Sequence, residues 1–127
     1  MAIKTPESVR VAYGSALSAA VDAGVVAIKK SVDRKYTVVD VWMRSTGSMD
    51  TCTSVDVTDG TTVFASFEDA ALTNLAIKRI GCANSAATNL GTAAAANTNI
   101  KVMTAGSGIG TATAVEWCIF YTVESVT

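Results

Sequence analysis

Residues 51–67 read T-C-T-S-V-D-V-T-D-G-T-T-V-F-A-S-F and decide the fold of this 127-residue chain. Polar and apolar side chains alternate on both sides of Asp59-Gly60, as in two half-buried strands joined by a tight turn. Asp tolerates and Gly favours the positive φ that a type I′ turn needs at both central residues. The stretch therefore predicts a β-hairpin, whose apolar face is formed by Val55, Val57, Val63, Ala65 and Phe67.

An isolated hairpin is marginally stable in water, so further strands must pair with it. Alternating segments on both sides supply candidates at 25–32, 36–45, 75–80, 100–104 and 111–124. Residues 111–124 carry apolar side chains on nearly both faces, which predicts a central position in a sheet. We expect an all-β fold, an antiparallel, jelly-roll-like β-sandwich with long loops.

Length and composition fit one domain with a real core, since 50% of the residues are hydrophobic and 17% are charged. We place the sandwich at residues 25–127 and an N-terminal arm or edge segment at residues 1–24. Within the latter, residues 8–13 alternate, which fits an edge strand, an arm that reaches a neighbour, or a frayed terminus. Residues 15–23 have the propensity of a short helix, although a loop fits as well.

The segment 36–45 has two apolar faces. Val39, Val41 and Met43 are expected to face the core. The opposite face carries Trp42, which is too large to be left in water without a reason. We therefore expect either a second layer of the chain or another subunit to cover it.

A net charge of −1 and an isoelectric point near 5.2 provide no field that would attract a polyanion, which argues against nucleic-acid binding. No apolar run is long enough for a membrane span, and the N-terminus lacks the pattern of a signal peptide. One basic cluster stands out, at Lys29, Lys30, Arg34 and Lys35. We interpret it as a solvated strand end, with contact to an acidic partner surface as the alternative.

The sequence offers little for catalysis or metal binding. It contains no His, so the usual general base and nucleophile activator is missing. Carboxylates occur without a spacing that would place two of them opposite each other, at Glu68, Asp69, Glu116 and Glu124. Asp50, Asp56 and Asp59 crowd the hairpin but lack the spacing of a calcium loop, and the Gly-rich residues 106–110 lack the context of a phosphate loop. We expect no enzyme activity, no cofactor and no metal.

Three cysteines, Cys52, Cys82 and Cys118, are an odd number at wide spacing. They are predicted to be reduced, mostly buried side chains of a protein that assembles in a reducing cytoplasm.

Four segments together resemble a known family: V-V-D-V-W-M-R-S-T-G at 38–47, S-V-D-V-T-D-G-T-T-V-F-A-S at 54–66, I-K-V-M-T at 100–104 and T-A-T-A-V-E-W-C-I-F-Y-T-V-E at 111–124. Their order is similar to that of small β-sandwich virion proteins of tailed bacteriophages, the head decoration (cement) proteins and related head or fibre proteins. The resemblance covers about two-thirds of the chain.

The resemblance implies a non-enzymatic structural protein on the capsid surface of the virion, assembled in the host cytoplasm. Such proteins form homo-oligomers, often trimers, and bind the major capsid protein. The exposed apolar residues that would make oligomer or capsid contacts are Tyr13, Trp42 and Phe120. Polar rim contacts would come from Lys29, Lys30, Arg34 and Lys35. The alternative is a receptor- or carbohydrate-binding module of a tail or fibre, with its site formed by residues 81–99 and the aromatic side chains.

Overall fold

The computed structural model describes residues 8–30, 34–47, 52–72, 75–95, 97–106 and 114–124. Within these ranges the chain forms strands and one short helix. In chain order they are β1 (Arg10–Leu17), α1 (Ser18–Ala23), β2 (Val25–Ile28), β3 (Tyr36–Ser45), β4 (Cys52–Thr58), β5 (Val63–Glu68), β6 (Lys78–Arg79), β7 (Ser85–Ala86), β8 (Ile100–Gly106) and β9 (Ala114–Val123).

The strands form two sheets, and every strand pairing in them is antiparallel. The first sheet has the strand order β1-β9-β3-β6, and the second sheet has the order β2-β8-β4-β5-β7. The predicted all-β antiparallel sandwich is confirmed. The central position predicted for the last strand is confirmed as well, because β9 lies between β1 and β3.

The core lies between the inner faces of the two sheets. The first sheet contributes Val41, Met43, Val115, Trp117 and Ile119, and the second contributes Val55, Val57, Ala65, Phe67, Ile100 and Val102. Helix α1 adds Val21, which has no exposed surface and packs against this core. Burial of each large aliphatic or aromatic side chain contributes about 1.5–3 kcal/mol, so these facing layers hold the sandwich together.

The central hairpin is confirmed, but the predicted turn type is wrong. Gly60 has a φ of +96°, whereas Asp59 is not among the described residues with positive φ, as a type I′ turn would require. Instead, the carboxylate of Asp59 accepts hydrogen bonds from the backbone N–H groups of Thr61 (2.9 Å) and Thr62 (2.6 Å). A longer loop closed by an Asp side chain therefore joins β4 to β5.

Two β-bulges shift the predicted alternation. Val39 is the extra residue of β3 opposite β9, so Val38 is fully buried and Val39 is exposed, contrary to prediction. Phe64 is the extra residue of β5 opposite β4, so Phe64 is fully buried while Val63, predicted to be a core residue, is only half-buried. A bulge reverses which residues face inward on one side of it, and strict alternation does not reveal its position.

The far edge of β3 is covered by the connection from Leu75 to Ala94. Four backbone N–H groups of this connection donate hydrogen bonds to carbonyl oxygens of β3. Leu75 donates to Ser45 (2.8 Å), Ile80 to Val41 (2.8 Å), Gly91 to Val38 (2.9 Å) and Ala94 to Tyr36 (2.7 Å). The strand predicted at 75–80 is reduced to the two residues of β6, which pair with Trp42 and Met43. Residues 81–99, which the alternative function predicts to form a binding site, are thus partly hydrogen-bonded to β3.

The N-terminal segment is an edge strand where the structure describes it. β1 pairs with β9 over eight consecutive residues, from Arg10 opposite Tyr121 to Leu17 opposite Ala114, without a register shift. The helix candidate at 15–23 is reduced to α1. Residues 1–7, which belong to the predicted arm, lie outside the described residues.

Candidate functional site

The strand register brings the three predicted aromatic contact residues onto one outer surface. Cys118 of β9 lies opposite Tyr13 of β1 on one side and opposite Trp42 of β3 on the other. Directly opposed residues share a face of a sheet, and so do residues two apart in one strand. Phe120 therefore lies on the same surface, and we call this outer surface of the first sheet the aromatic face.

The three aromatic side chains differ in exposure. Tyr13 exposes 82% of its surface and Trp42 exposes 37%, whereas Phe120 is half-buried. Val11, opposite Phe120, is 46% exposed and adds aliphatic surface. No second layer of the described chain covers Trp42, so one of the two predicted ways of covering it is not found there.

Trp42 is held in place by two charged neighbours. Its indole Nε1 donates a hydrogen bond to Asp40 Oδ2 (3.2 Å), and the guanidinium of Arg79 lies 5.6 Å from the ring centroid. Arg79 Nε in turn contacts Asp40 Oδ2 at 3.0 Å. The arrangement combines an ion pair with a cation–π contact, so neighbouring side chains of the chain itself fix the orientation of the ring.

A second ion pair joins β3 to β9 on the same face. Arg44 and Glu116 lie opposite each other, and Arg44 Nε donates to Glu116 Oε2 at 2.7 Å. Both side chains are about one-third exposed, at 35% and 36%. The two ion pairs leave the charged groups of the aromatic face paired within the chain.

Among the described residues, three open depressions adjoin this face. One of about 240 Å³ lies beside Trp42, Arg44, Ile77 and Glu116. Another of about 590 Å³ lies along β6 and includes Asp40, Trp42 and Arg79, and the third, of about 440 Å³, lies beside Tyr13 and Glu116. All three open broadly to solvent.

The basic cluster lies where β2 ends and β3 begins. Lys29 and Lys30 follow β2, Arg34 and Lys35 precede β3, and all four are exposed. The backbone N–H of Lys30 donates to Asn99 Oδ1 at 2.7 Å. The structure thus places these residues at a strand connection, where a rim role remains a prediction.

The outer surface of the second sheet carries a polar cluster that is hydrogen-bonded within the chain. Asp56 Oδ1 accepts hydrogen bonds from the hydroxyls of Ser54 (2.8 Å) and Ser66 (2.7 Å). Because Asp56 is bonded in this way and Asp59 closes the hairpin loop, neither carboxylate is arranged for a cation. Asp50, the third residue considered for calcium, and residues 107–110 of the Gly-rich segment lie outside the described residues.

The described residues contain no group of three His, Cys, Asp or Glu side chains that could hold a metal ion. Nor does the described part of the chain contain a helix long and apolar enough to cross a membrane. Cys82 and Cys118 are free thiols of intermediate burial, and Cys82 packs against the core. The side chain of Cys52 lies outside the described set.

Arg79 and Ile77 are the members of this site that sequence reasoning missed. The two-residue spacing of Asp40 and Trp42 already indicates that both side chains share a face. Arg79 joins them only through the pairing of β6 with β3, and two residues are too few to produce an alternating pattern.

Comparison with known proteins gives no relative: no family model, curated protein or solved structure matches this chain.

Proposed function

We propose that this chain is a non-enzymatic virion structural protein, a head decoration (cement) protein that oligomerises and binds the outer surface of the capsid. One observation carries the proposal. Tyr13, Trp42 and Phe120 come from three separate segments of the sequence and lie together on one outer face, where Tyr13 and Trp42 are exposed. The resemblance of the four quoted segments supports the identity of the partner.

The chemistry of the aromatic face suits a protein surface. Trp, Tyr and Arg are the residue types that most often dominate binding energy at protein interfaces. Trp42 is already oriented by Asp40 and Arg79, so little conformational entropy is lost when a partner packs against it. The two exposed ion pairs, Arg44–Glu116 and Arg79–Asp40, provide a polar surround.

The proposed mechanism is mechanical. A rigid sandwich that bridges adjacent capsid subunits contributes binding free energy only to the lattice geometry that it fits. If that geometry is the expanded lattice, each occupied site opposes the opening of the capsid under the internal pressure of packaged DNA. Occupancy then adds stability by mass action, and no chemical step is required.

The alternative is a carbohydrate-binding module of a tail or fibre. The depression of about 590 Å³ favours it, because the indole of Trp42 lies there beside Asp40 and Arg79, and sugars stack on aromatic rings next to hydrogen-bonding groups. Against it, Asp40 and Arg79 already bond to each other. A glycan array therefore belongs beside the capsid experiment.

Co-sedimentation with heads of the phage that encodes the chain tests the proposal. We expect the protein to sediment with expanded heads and not with unexpanded ones. Trp42→Ala is expected to weaken binding about 30-fold, the effect of losing about 2 kcal/mol at an interface hot spot. Met103→Ala, on the outer surface of the second sheet, serves as the matched control and should bind as the unaltered protein does. Binding to a glycan without binding to either form of the head would overturn the proposal in favour of the alternative.

A further inference from the structure

The described sandwich has four edge strands, and β1 differs from the other three. β6 and β7 have two residues each, and β2 has four residues with a register shift between Val26 and Ile28. β1 has eight residues and no register shift. Short strands and bulges are the usual means by which proteins prevent an edge from pairing with another chain, and β1 has neither.

No segment of the described chain pairs with the outer backbone edge of β1. At the far edge of β3, the connection from Leu75 to Ala94 supplies hydrogen bonds along the strand. From Arg10 to Ala16, by contrast, the described residues provide hydrogen bonds to β9 only. In an antiparallel pair, every second residue directs its N–H and C=O groups away from the partner. Within the described residues, about half of the polar backbone groups of β1 are therefore left without a partner strand, in the geometry that accepts another strand.

The side chains at this edge are apolar. The exposed large hydrophobic residues include Val9 (59%), Val11, Tyr13 and Leu17 (66%). Proline and acidic residues are absent from β1, and its one charged residue, Arg10, is at its first position. A Lys or Pro within the strand would protect such an edge, and the sequence places neither there.

We propose that β1 pairs antiparallel with β1 of a second copy about a two-fold axis, which joins the two first sheets into one eight-stranded sheet. Charge favours this direction. A parallel pair would place the two Arg10 side chains side by side, whereas an antiparallel pair centred on Tyr13 places each Arg10 opposite Ala16 of the other copy. The two cations are then separated by about 20 Å along the strands, at about 3.4 Å per residue.

The antiparallel pair centred on Tyr13 also places apolar residues of one copy opposite apolar residues of the other. Val9 of each copy comes opposite Leu17 of the other, and the two Tyr13 side chains meet at the axis. The pairing keeps outer residues opposite outer residues, so the two aromatic faces form one surface. A partner with a regular lattice would then meet two copies of the face at once, with a gain in avidity.

The contact involves both layers of the sandwich. β2, the edge strand of the second sheet, lies beside β1 and exposes Val26. Eight residues form a strip about 27 Å long, and the two layers lie about 10 Å apart. A contact along both layers, about 27 Å by 10 Å, covers about 270 Å² per partner, less than the roughly 800 Å² of a standard interface, so the dimer is expected to dissociate on dilution.

This inference goes beyond the proposed function and does not rest on it. Two-fold pairing predicts a dimer or a larger even-numbered assembly, whereas the resemblance implies a trimer. In a trimer, β1 would have to meet a different surface. The capsid experiment depends on Trp42 and the experiment below depends on the backbone of β1, so either proposal can fail alone.

Hydrogen exchange of the unaltered protein, combined with light scattering over a concentration series, tests the pairing. We expect a dimer at high concentration that dissociates on dilution. Amide protons of alternate residues in β1 should become protected as the dimer forms, while the intervening amides, bonded to β9, stay protected throughout. A monomer at all concentrations, a trimer, or a dimer whose alternate β1 amides exchange fast would each overturn the proposal.

Two matched substitutions complete the test. Val11→Lys places a cation at the edge of β1 in both copies and is expected to raise the dissociation constant of the dimer at least about tenfold. Leu75→Lys, which also places a Lys at an exposed apolar position (59%), lies beyond the far edge of β3 and should leave dimerisation unchanged. Circular dichroism checks that both variants fold. Equal dimerisation of the two variants would count against β1 as the contact.

Discussion

The two outer surfaces of the sandwich are built from strands of the same kind but carry different side chains. On the second sheet, Asp56 binds the hydroxyls of Ser54 and Ser66, so the polar groups there satisfy one another. On the first sheet, Tyr13 and Trp42 remain exposed, and the charged groups are paired around them.

This difference separates stability from recognition. A hydrogen-bonded cluster contributes to the folded state, and its loss leaves buried polar groups without partners. An exposed aromatic ring contributes little to the folded state and much to a complex, since it becomes buried only when a partner arrives. We therefore expect substitutions on the second sheet's outer surface to affect folding and substitutions on the aromatic face to affect binding.

The largest effects are expected where the two sheets are alike, on their inner faces. Trp117→Ala in the first sheet and Phe67→Ala in the second should each lower the free energy of unfolding by about 3–5 kcal/mol, through lost burial and the cavity left behind. Guanidinium denaturation followed by far-UV circular dichroism measures this. Trp117→Phe serves as the volume control and should cost less. If one of the two alanine variants kept its full stability, the sheets would not share one core.

The next largest effect is expected at the polar cluster on the outer surface of the second sheet. Asp56→Ala removes the common acceptor of Ser54 and Ser66 and should cost about 1–3 kcal/mol in the free energy of unfolding. Asp56→Asn keeps an acceptor oxygen and should cost less. Urea denaturation of the two variants distinguishes them. Unchanged stability of Asp56→Ala would show that this cluster does not contribute to folding.

A smaller effect is expected for the ion pair on the aromatic face. Arg79→Ala removes the contacts to Asp40 and Trp42, but the side chain of Arg79 is 62% exposed, so the expected loss is at most about 1 kcal/mol. Arg79→Lys keeps the charge and should lower the free energy of unfolding by less than Arg79→Ala does. The same urea experiment measures it. A loss as large as that of Asp56→Ala would erase the distinction between the two surfaces.

The smallest effect on stability is expected at the most exposed aromatic residue. Tyr13→Ala should change the free energy of unfolding by no more than about 0.5 kcal/mol, while it weakens capsid co-sedimentation. Tyr36→Ala is the matched control, because Tyr36 packs edge-on against Tyr121 with ring centroids 5.6 Å apart. Thermal unfolding of both variants should show the larger decrease for Tyr36→Ala. A stability loss at Tyr13 equal to that at Tyr36 would contradict the assignment.

Alternation in the sequence was enough to predict the strands that form the body of the sandwich. The bounds of β3 and the central position of β9 follow from it, and so does the outward direction of Trp42. The errors at Val39 and Val63 have one physical cause. Each bulge adds a residue without changing the composition of the strand, so the alternation looks unbroken while the inward-facing set shifts by one.

The candidate site was predictable in part. The three aromatic residues could be chosen one by one, because each lies in an alternating segment of the sequence. Their position on one face could not, since it depends on the pairing of β1 and β3 with β9, which are far apart in the sequence. The contribution of Arg79 could not be predicted for the same reason, because it depends on the pairing of β6 with β3.

The chain has two tryptophans, and they lie on opposite faces of the first sheet. Trp117 is inside the sandwich beneath Gly14, where an added methyl group would lie 3.0 Å from its ring, and Trp42 is outside. The two indoles therefore make independent fluorescent reporters. In a Trp117→Phe background the emission of Trp42 follows occupation of the outer surface, and in a Trp42→Phe background the emission of Trp117 follows unfolding.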